Sequence, residues 1–190
     1  MITAREVGLG LFGAWRLAHL DPSGLQYFDR TEHGFWRSFW AAAVVAPGYV
    51  LIVLLRLSDA ETIDDPLRIV LVETISYVIN WTAYPLVAWY IVAALDRGER
   101  YFGYLCAYNW ATALLICLYV PVVAIGGFEM LPKAITMLVG YIVTCAALFY
   151  HYFIARTALD IEPIPAIGLV TVDLIIGLVL QFVTIALETP

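Results

Sequence analysis

Charge is what this chain has least of. Only 14% of its 190 residues are Asp, Glu, Lys or Arg, whereas a soluble domain carries roughly 25%. Hydrophobic residues make up 63%, against roughly 45–50% in soluble proteins, and a water-soluble fold has no way to hide that much apolar surface. At this length the chain allows one compact domain and leaves no room for a separate soluble enzyme. Lysine occurs once, at Lys133, beside nine arginines. That bias, with abundant alanine, is the composition of a GC-rich bacterial genome. The formal charge of -6, with acids gathered at Asp59, Glu61, Asp64 and Asp65, argues against a nucleic-acid partner.

Reactive and metal-binding side chains are equally scarce. Cys106, Cys117 and Cys145 sit inside apolar runs at spacings that suggest neither a disulfide framework nor a zinc site. No serine lies in a nucleophile elbow, no His-Glu-x-x-His occurs, and Asp173 has no second aspartate at membrane depth with which to form a protease dyad. A haem between helices needs two facing histidines; His151 falls in an apolar run, but His19 and His33 do not. The expectation is a chain that is not an enzyme and carries no cofactor and no metal.

What the chain does have is long apolar runs. Five stretches, about 35–57, 69–95, 101–125, 132–155 and 163–187, each exceed the ~20 residues that cross ~30 Å of hydrocarbon at ~1.5 Å per residue. The expected fold is all-α, a polytopic five-transmembrane-helix bundle over 34–190, preceded by a cytoplasmic, interfacial segment over 1–33. No small-residue cleavage signal follows the Val7–Trp15 stretch, which argues against a secretory signal peptide. Instead, helical periodicity puts Arg5, Arg16 and His19 on one side and Val7, Leu11, Ala14, Trp15 and Ala18 on another, the pattern of an amphipathic helix in the membrane surface. Glycines 8, 10 and 13 weaken that helix. Asp21-Pro22 predicts a cap and a short helix over 22–28, and Thr31 a second cap. Phe35, Trp36, Phe39 and Trp40 form an aromatic belt at the start of the first span.

Orientation follows from the excess of positive charge that cytoplasmic flanks carry. With the N-terminus inside, Arg5, Arg16, Arg30, Arg37, Arg97, Arg100 and Arg156 gather on one side, and only Arg56, Arg68 and Lys133 on the other. The expected topology is N-terminus cytoplasmic and C-terminus periplasmic, in the bacterial inner (plasma) membrane. Pro47, Pro85 and Pro121 fall inside spans, where the ring and the missing donor kink or unwind a helix. Gly126-Gly127 is expected in a turn between spans.

Polar residues within spans are costly unless partnered, so their placement is the best functional pointer. Spacings of three, four and seven align Glu73, Tyr77, Asn80 and Tyr84 on the second span, and Asn109 and Thr112 on the third. They also align Thr136, Gly140, Thr144, Ala147 and His151 on the fourth, and Ala166, Asp173, Gly177, Gln181 and Thr184 on the fifth. Depth counting puts Asp173, Asn80, Asn109 and Thr144 near the midplane, ~15 Å in for Asp173 at ~1.5 Å per residue. These four are the candidate binding cluster. Such a cluster serves either as interhelical glue, each bond contributing ~1 kcal/mol or less, or as a proton or solute path.

The last two predicted spans read Tyr150-His151-Tyr152-Phe153-Ile154-Ala155-Arg156, a short loop, Pro165-Ala166, and then Val172-Asp173-Leu174. Following a cytoplasmic segment and within five closely spaced spans, this pattern resembles the Yip family, the Ypt-interacting membrane proteins, and its bacterial branch. The resemblance covers 35–187 and is one of topology before sequence. It implies a compact five-helix bundle and, in eukaryotic members, an adaptor role in membrane traffic, although the long cytoplasmic arm of those members is short here. The functional expectation is a non-catalytic Yip-like scaffold or accessory subunit in the lipid bilayer, partnered by another membrane protein or a second copy. The alternative is a small transporter or proton-conducting bundle that uses the midplane Asp/Asn cluster.

Overall fold

Every secondary-structure element in the described residues is a helix. The computed structural model describes residues 2–58, 65–127 and 132–188; the acidic run from Asp59 to Asp64 lies outside them. The first helix, α1 (Ala4–Ala18), begins at a capping box. The Thr3 hydroxyl accepts from the Glu6 N–H at 3.3 Å, and the Glu6 carboxylate accepts from the Thr3 N–H at 2.7 Å. The Thr3 N–H, and after it the Thr3 hydroxyl, which donates to the same carboxylate at 2.8 Å, hold the Glu6 carboxyl below its ordinary range. Glu6 also pairs with Arg37 at 2.5 Å, which ties α1 to α2 (Glu32–Ser38).

Between them lies a 3₁₀ turn, Pro22–Tyr27, capped by Asp21, whose carboxylate accepts from the Ser23 N–H at 3.0 Å and pairs with Arg16 at 2.5 Å. Asp29 then accepts from the Thr31 hydroxyl at 2.7 Å and N–H at 3.0 Å, bonds that lower its pKa, and Thr31 caps α2. The two caps read from Asp21 and Thr31 are therefore present, the first of them on a 3₁₀ turn.

α1 does not stand apart from the bundle. Its Ala14 and Leu17 are fully buried, and the Tyr150 hydroxyl donates to the Ala14 carbonyl at 2.6 Å. A Cβ on Gly10 would lie 2.5 Å from the Trp110 ring, so this glycine marks a close approach of helix to helix. Leu9, Phe12 and Trp15 face outward. The glycines that weaken α1 as an isolated helix are thus partly explained by packing.

Five further helices follow: α3 (Trp40–Ser58), α4 (Pro66–Ala94), α5 (Tyr101–Gly127), α6 (Lys133–Leu159) and α7 (Pro163–Glu188). The first predicted span is broken at Phe39, so that α2 and α3 are separate helices, and α5 continues through Gly126-Gly127, where a turn was expected. α3, α4 and α5 run through Pro47, Pro85 and Pro121. α5 is the hub, packed by α3, α6, α1 and α2, whereas α4 packs chiefly on α7 and scarcely on α5. Arg97 donates to the Asp160 carbonyl at 3.3 Å and Arg100 pairs with its carboxylate at 3.2 Å, which clamps the α4–α5 and α6–α7 connections together.

Four segments are long and apolar enough to cross a membrane: Glu32–Leu55, Gly98–Val122, Ala134–Leu159 and Pro163–Glu188. Their outer surfaces are apolar, as at Leu54, Tyr141, Ile164 and Phe182. A belt of this kind is at home in hydrocarbon and not in water. α4, with 29 residues, is the longest helix, but Glu73, Ser76, Asn80 and a set of aromatic residues dilute its hydropathy.

Candidate functional site

Because α4 and α7 pair off from α3 and α5, a cavity of about 410 Å³ opens in the seam between the two pairs. Glu73, Tyr77, Asn80 and Tyr84 of α4 line one wall; Asp173, Gly177, Gln181 and Thr184 of α7 line another. Each set recurs at three- and four-residue steps, so each is one face of its helix. Tyr49 of α3 and Tyr108, Thr112 and Tyr119 of α5 also line it.

One end of the cavity is organised around Asp173. Its Oδ1 accepts from the Tyr108 hydroxyl at 2.8 Å, and its Oδ2 lies 3.4 Å from His151 Nδ1 of α6. The carboxylate and the imidazole side chains are only 18% and 12% exposed. The Tyr108 ring packs on His151 at 4.8 Å and on Tyr84 at 4.6 Å between centroids. Tyr84 in turn shares a short hydrogen bond with the buried Tyr104. Among the described residues His151 Nε2 and Thr112 Oγ1 are buried without a hydrogen-bond partner.

The other end holds Glu73, 5% exposed, whose Oε2 accepts from the Tyr49 hydroxyl at 2.5 Å. Eleven residues of α4 separate Glu73 from Tyr84, which at ~1.5 Å per residue sets the two ends ~16 Å apart along the helix. Hydroxyls and amides lie between: Ser76 and Thr184 meet at 2.6 Å, and Asn80 donates to the Ser76 carbonyl at 2.8 Å. Among the described residues the lining contains two carboxylates, Glu73 and Asp173. Among the described residues no group of three or more His, Cys, Asp or Glu side chains is placed to hold a metal ion.

The four residues expected to cluster do not all meet. Asp173 and Asn80 line the same cavity, but Asn80 spends its amide on its own helix. Asn109 is fully buried elsewhere, donating to Ser38 Oγ at 2.8 Å between α5 and α2, and Thr144 is exposed on the outside of α6, donating to the Gly140 carbonyl at 2.9 Å. The reason is angular: on α5 the cavity face carries Tyr108 and Thr112, and Asn109 is ~100° round from Tyr108. On α6, His151 of the predicted stripe turns inward to Asp173, while Thr144 is exposed.

Fold and cavity together define a class, an all-α bundle with helices long and apolar enough to span a membrane. No family model, curated protein or solved structure matches the chain. The resemblance to Yip proteins accordingly rests on the residues quoted for it.

Proposed function

We propose that the chain is a five-span protein of the bacterial inner membrane, N-terminus cytoplasmic and C-terminus periplasmic, that passes protons through the α3–α4–α5–α7 cavity in exchange for a small solute. In this reading α4 is the fifth span, its polar face turned to the cavity, and α1 lies at the cytoplasmic interface with Leu9, Phe12 and Trp15 toward lipid. The observation that carries the proposal is the Asp173–His151 pair at one end of a cavity whose far end holds Glu73. Ionisable groups are retained inside a membrane at a cost, and they characteristically mark proton or ion pathways. The Yip-like scaffold reading draws on topology and on the exposed face of α6 at Thr144, and it gives the two carboxylates the role of interhelical hydrogen bonds, Asp173 to Tyr108 and Glu73 to Tyr49.

The experiment is a proton flux across proteoliposomes under an imposed pH gradient, read by an enclosed dye. Wild type should exceed empty vesicles, and Asp173→Asn should fall at least about tenfold toward them, since a general acid–base group commonly supplies more than that. Equal rates in wild type and variant, at matched folded protein, would remove Asp173 from the path.

A further inference from the structure

A second recess lies apart from the α3–α4–α5–α7 cavity, where α5 begins and α6 ends. It encloses about 300 Å³, at the lower end of the ~300–1,000 Å³ range of small-molecule sites, and is lined by Leu25, Arg30, Glu99, Arg100, Gly103 and Ala158. Leu25 comes from the 3₁₀ turn, Gly103 from the first turn of α5 and Ala158 from the last turn of α6. Gly103 is what admits Arg30: a Cβ there would lie 3.1 Å from the Arg30 Cγ and 3.3 Å from its Cβ, so the stem of the arginine runs along α5. Glu99 and Arg100 open the candidate span Gly98–Val122, and Ala158 stands next to the end of Ala134–Leu159. The recess is therefore set where two helices leave hydrocarbon, at the level of phospholipid headgroups.

From this position and this lining we infer that the recess binds one phospholipid by a zwitterionic phosphoethanolamine headgroup, its phosphate toward Arg30 and Arg100 and its ammonium toward Glu99. A guanidinium meets a phosphate with two parallel N–H donors, and basic recesses between membrane helices take lipid headgroups in this way. Arg100 reaches Asp160 through Nη2 at 3.2 Å, and because a guanidinium carries five N–H donors that pair orients Arg100 without exhausting it. Glu99 decides which phospholipid fits. A purely anionic headgroup brings it a like charge, whereas the primary ammonium of ethanolamine brings three donors to its carboxylate. The trimethylammonium of choline carries the charge and no N–H donor. This site needs α5 and α6 to cross the bilayer and is independent of the proton path, since the two recesses share no lining residue.

The test is a titration of the full chain in mild detergent with phosphatidylethanolamine, phosphatidylglycerol and phosphatidylcholine of one acyl composition, read by native mass spectrometry. Wild type should bind a single phosphatidylethanolamine about fivefold more tightly than either of the others, the scale of one charge contact at a membrane surface. Arg30→Gln should weaken that binding by about the same factor, and Glu99→Gln should turn the preference toward phosphatidylglycerol. Both residues are exposed, so both variants should fold. Equal binding of the ethanolamine and glycerol lipids by wild type, or a preference that survives Glu99→Gln, overturns the inference. Displacement of the bound lipid by soluble glycerophosphoethanolamine at equal concentration would overturn it as well, by assigning the recess to a free phosphate ester.

Discussion

Replacing Gly34 by alanine is expected to cost about 2–3 kcal/mol of stability, the upper part of the range for a forced clash in a packed site. A Cβ at this position would lie 2.2 Å from the Asp29 carbonyl oxygen and 2.6 Å from the Asp29 Cβ. Neither atom is the end of a flexible side chain. Asp29 is itself fixed by its bonds from Thr31, and the Thr31 hydroxyl accepts from the Gly34 N–H at 3.1 Å, so the turn has no slack to give. The constraint is one of space alone, since no glycine among the described residues has positive φ. Gly8→Ala is the counterpart: a Cβ there meets nothing within 4 Å, and exchanging glycine for alanine inside a helix contributes up to ~1 kcal/mol. Thermal melts in detergent should therefore move in opposite directions for the two variants. A Gly34→Ala protein as stable as wild type contradicts the packing of the 29–34 turn.

Asn109→Asp is expected to be at least as damaging, about 3 kcal/mol or more, because it puts an unpaired charge in a fully buried site. The Asn109 amide donates to Ser38 Oγ, and the Ser38 hydroxyl is already committed to the Phe35 carbonyl at 2.7 Å, so a carboxylate would face an oxygen with no proton to offer it. Asn109→Leu removes the donor without adding charge and should cost about 1–3 kcal/mol, as for a hydrogen bond lost with one partner left behind. Its flux per folded molecule should stay at the wild-type level. A loss of flux in Asn109→Leu comparable to that in Asp173→Asn would mean that the two residues belong to one site, against the geometry.

The contrast between Asn109 and Asp173 shows how much was legible in the sequence. The stripes on α4 and α7 are readable because Glu73, Asn80, Asp173 and Gln181 stand out in apolar runs, and helical spacing then assigns them to one face; apart from Ala166, both stripes line the cavity. On α5 the same reasoning selected Asn109, the most polar residue of the helix, when the cavity face carries Tyr108. Tyrosine reads as apolar or interfacial in a span, and only its four-residue spacing from Tyr104 and Thr112 marked it. His151 falls on the polar stripe of α6, but nothing along the chain indicates that its ring nitrogen comes within 3.4 Å of Asp173. Thr144 was counted by depth, which a helix shares on all sides, and depth says nothing about azimuth. Helix starts are more legible, because caps are local: Asp21 and Thr31, expected as caps, each accept from a backbone N–H at a helix start, and Thr3 and Asp65, not among the expected caps, do the same. The break at Phe39 is a tertiary matter, as α2 and α3 both pack on α5.

The account depends on α4 crossing the bilayer, because only then does its polar face enclose a cavity at membrane depth. Asp65 caps its first turn and Asp96 follows its last, so the two positions bracket the helix. Single variants Asp65→Cys and Asp96→Cys, treated in intact cells with a membrane-impermeant maleimide, test this directly. The wild-type chain, whose three cysteines lie inside α5 and α6, serves as the blank. Labelling of Asp65→Cys from outside and of Asp96→Cys only after permeabilisation is the result the account predicts; labelling of both from the same side contradicts it.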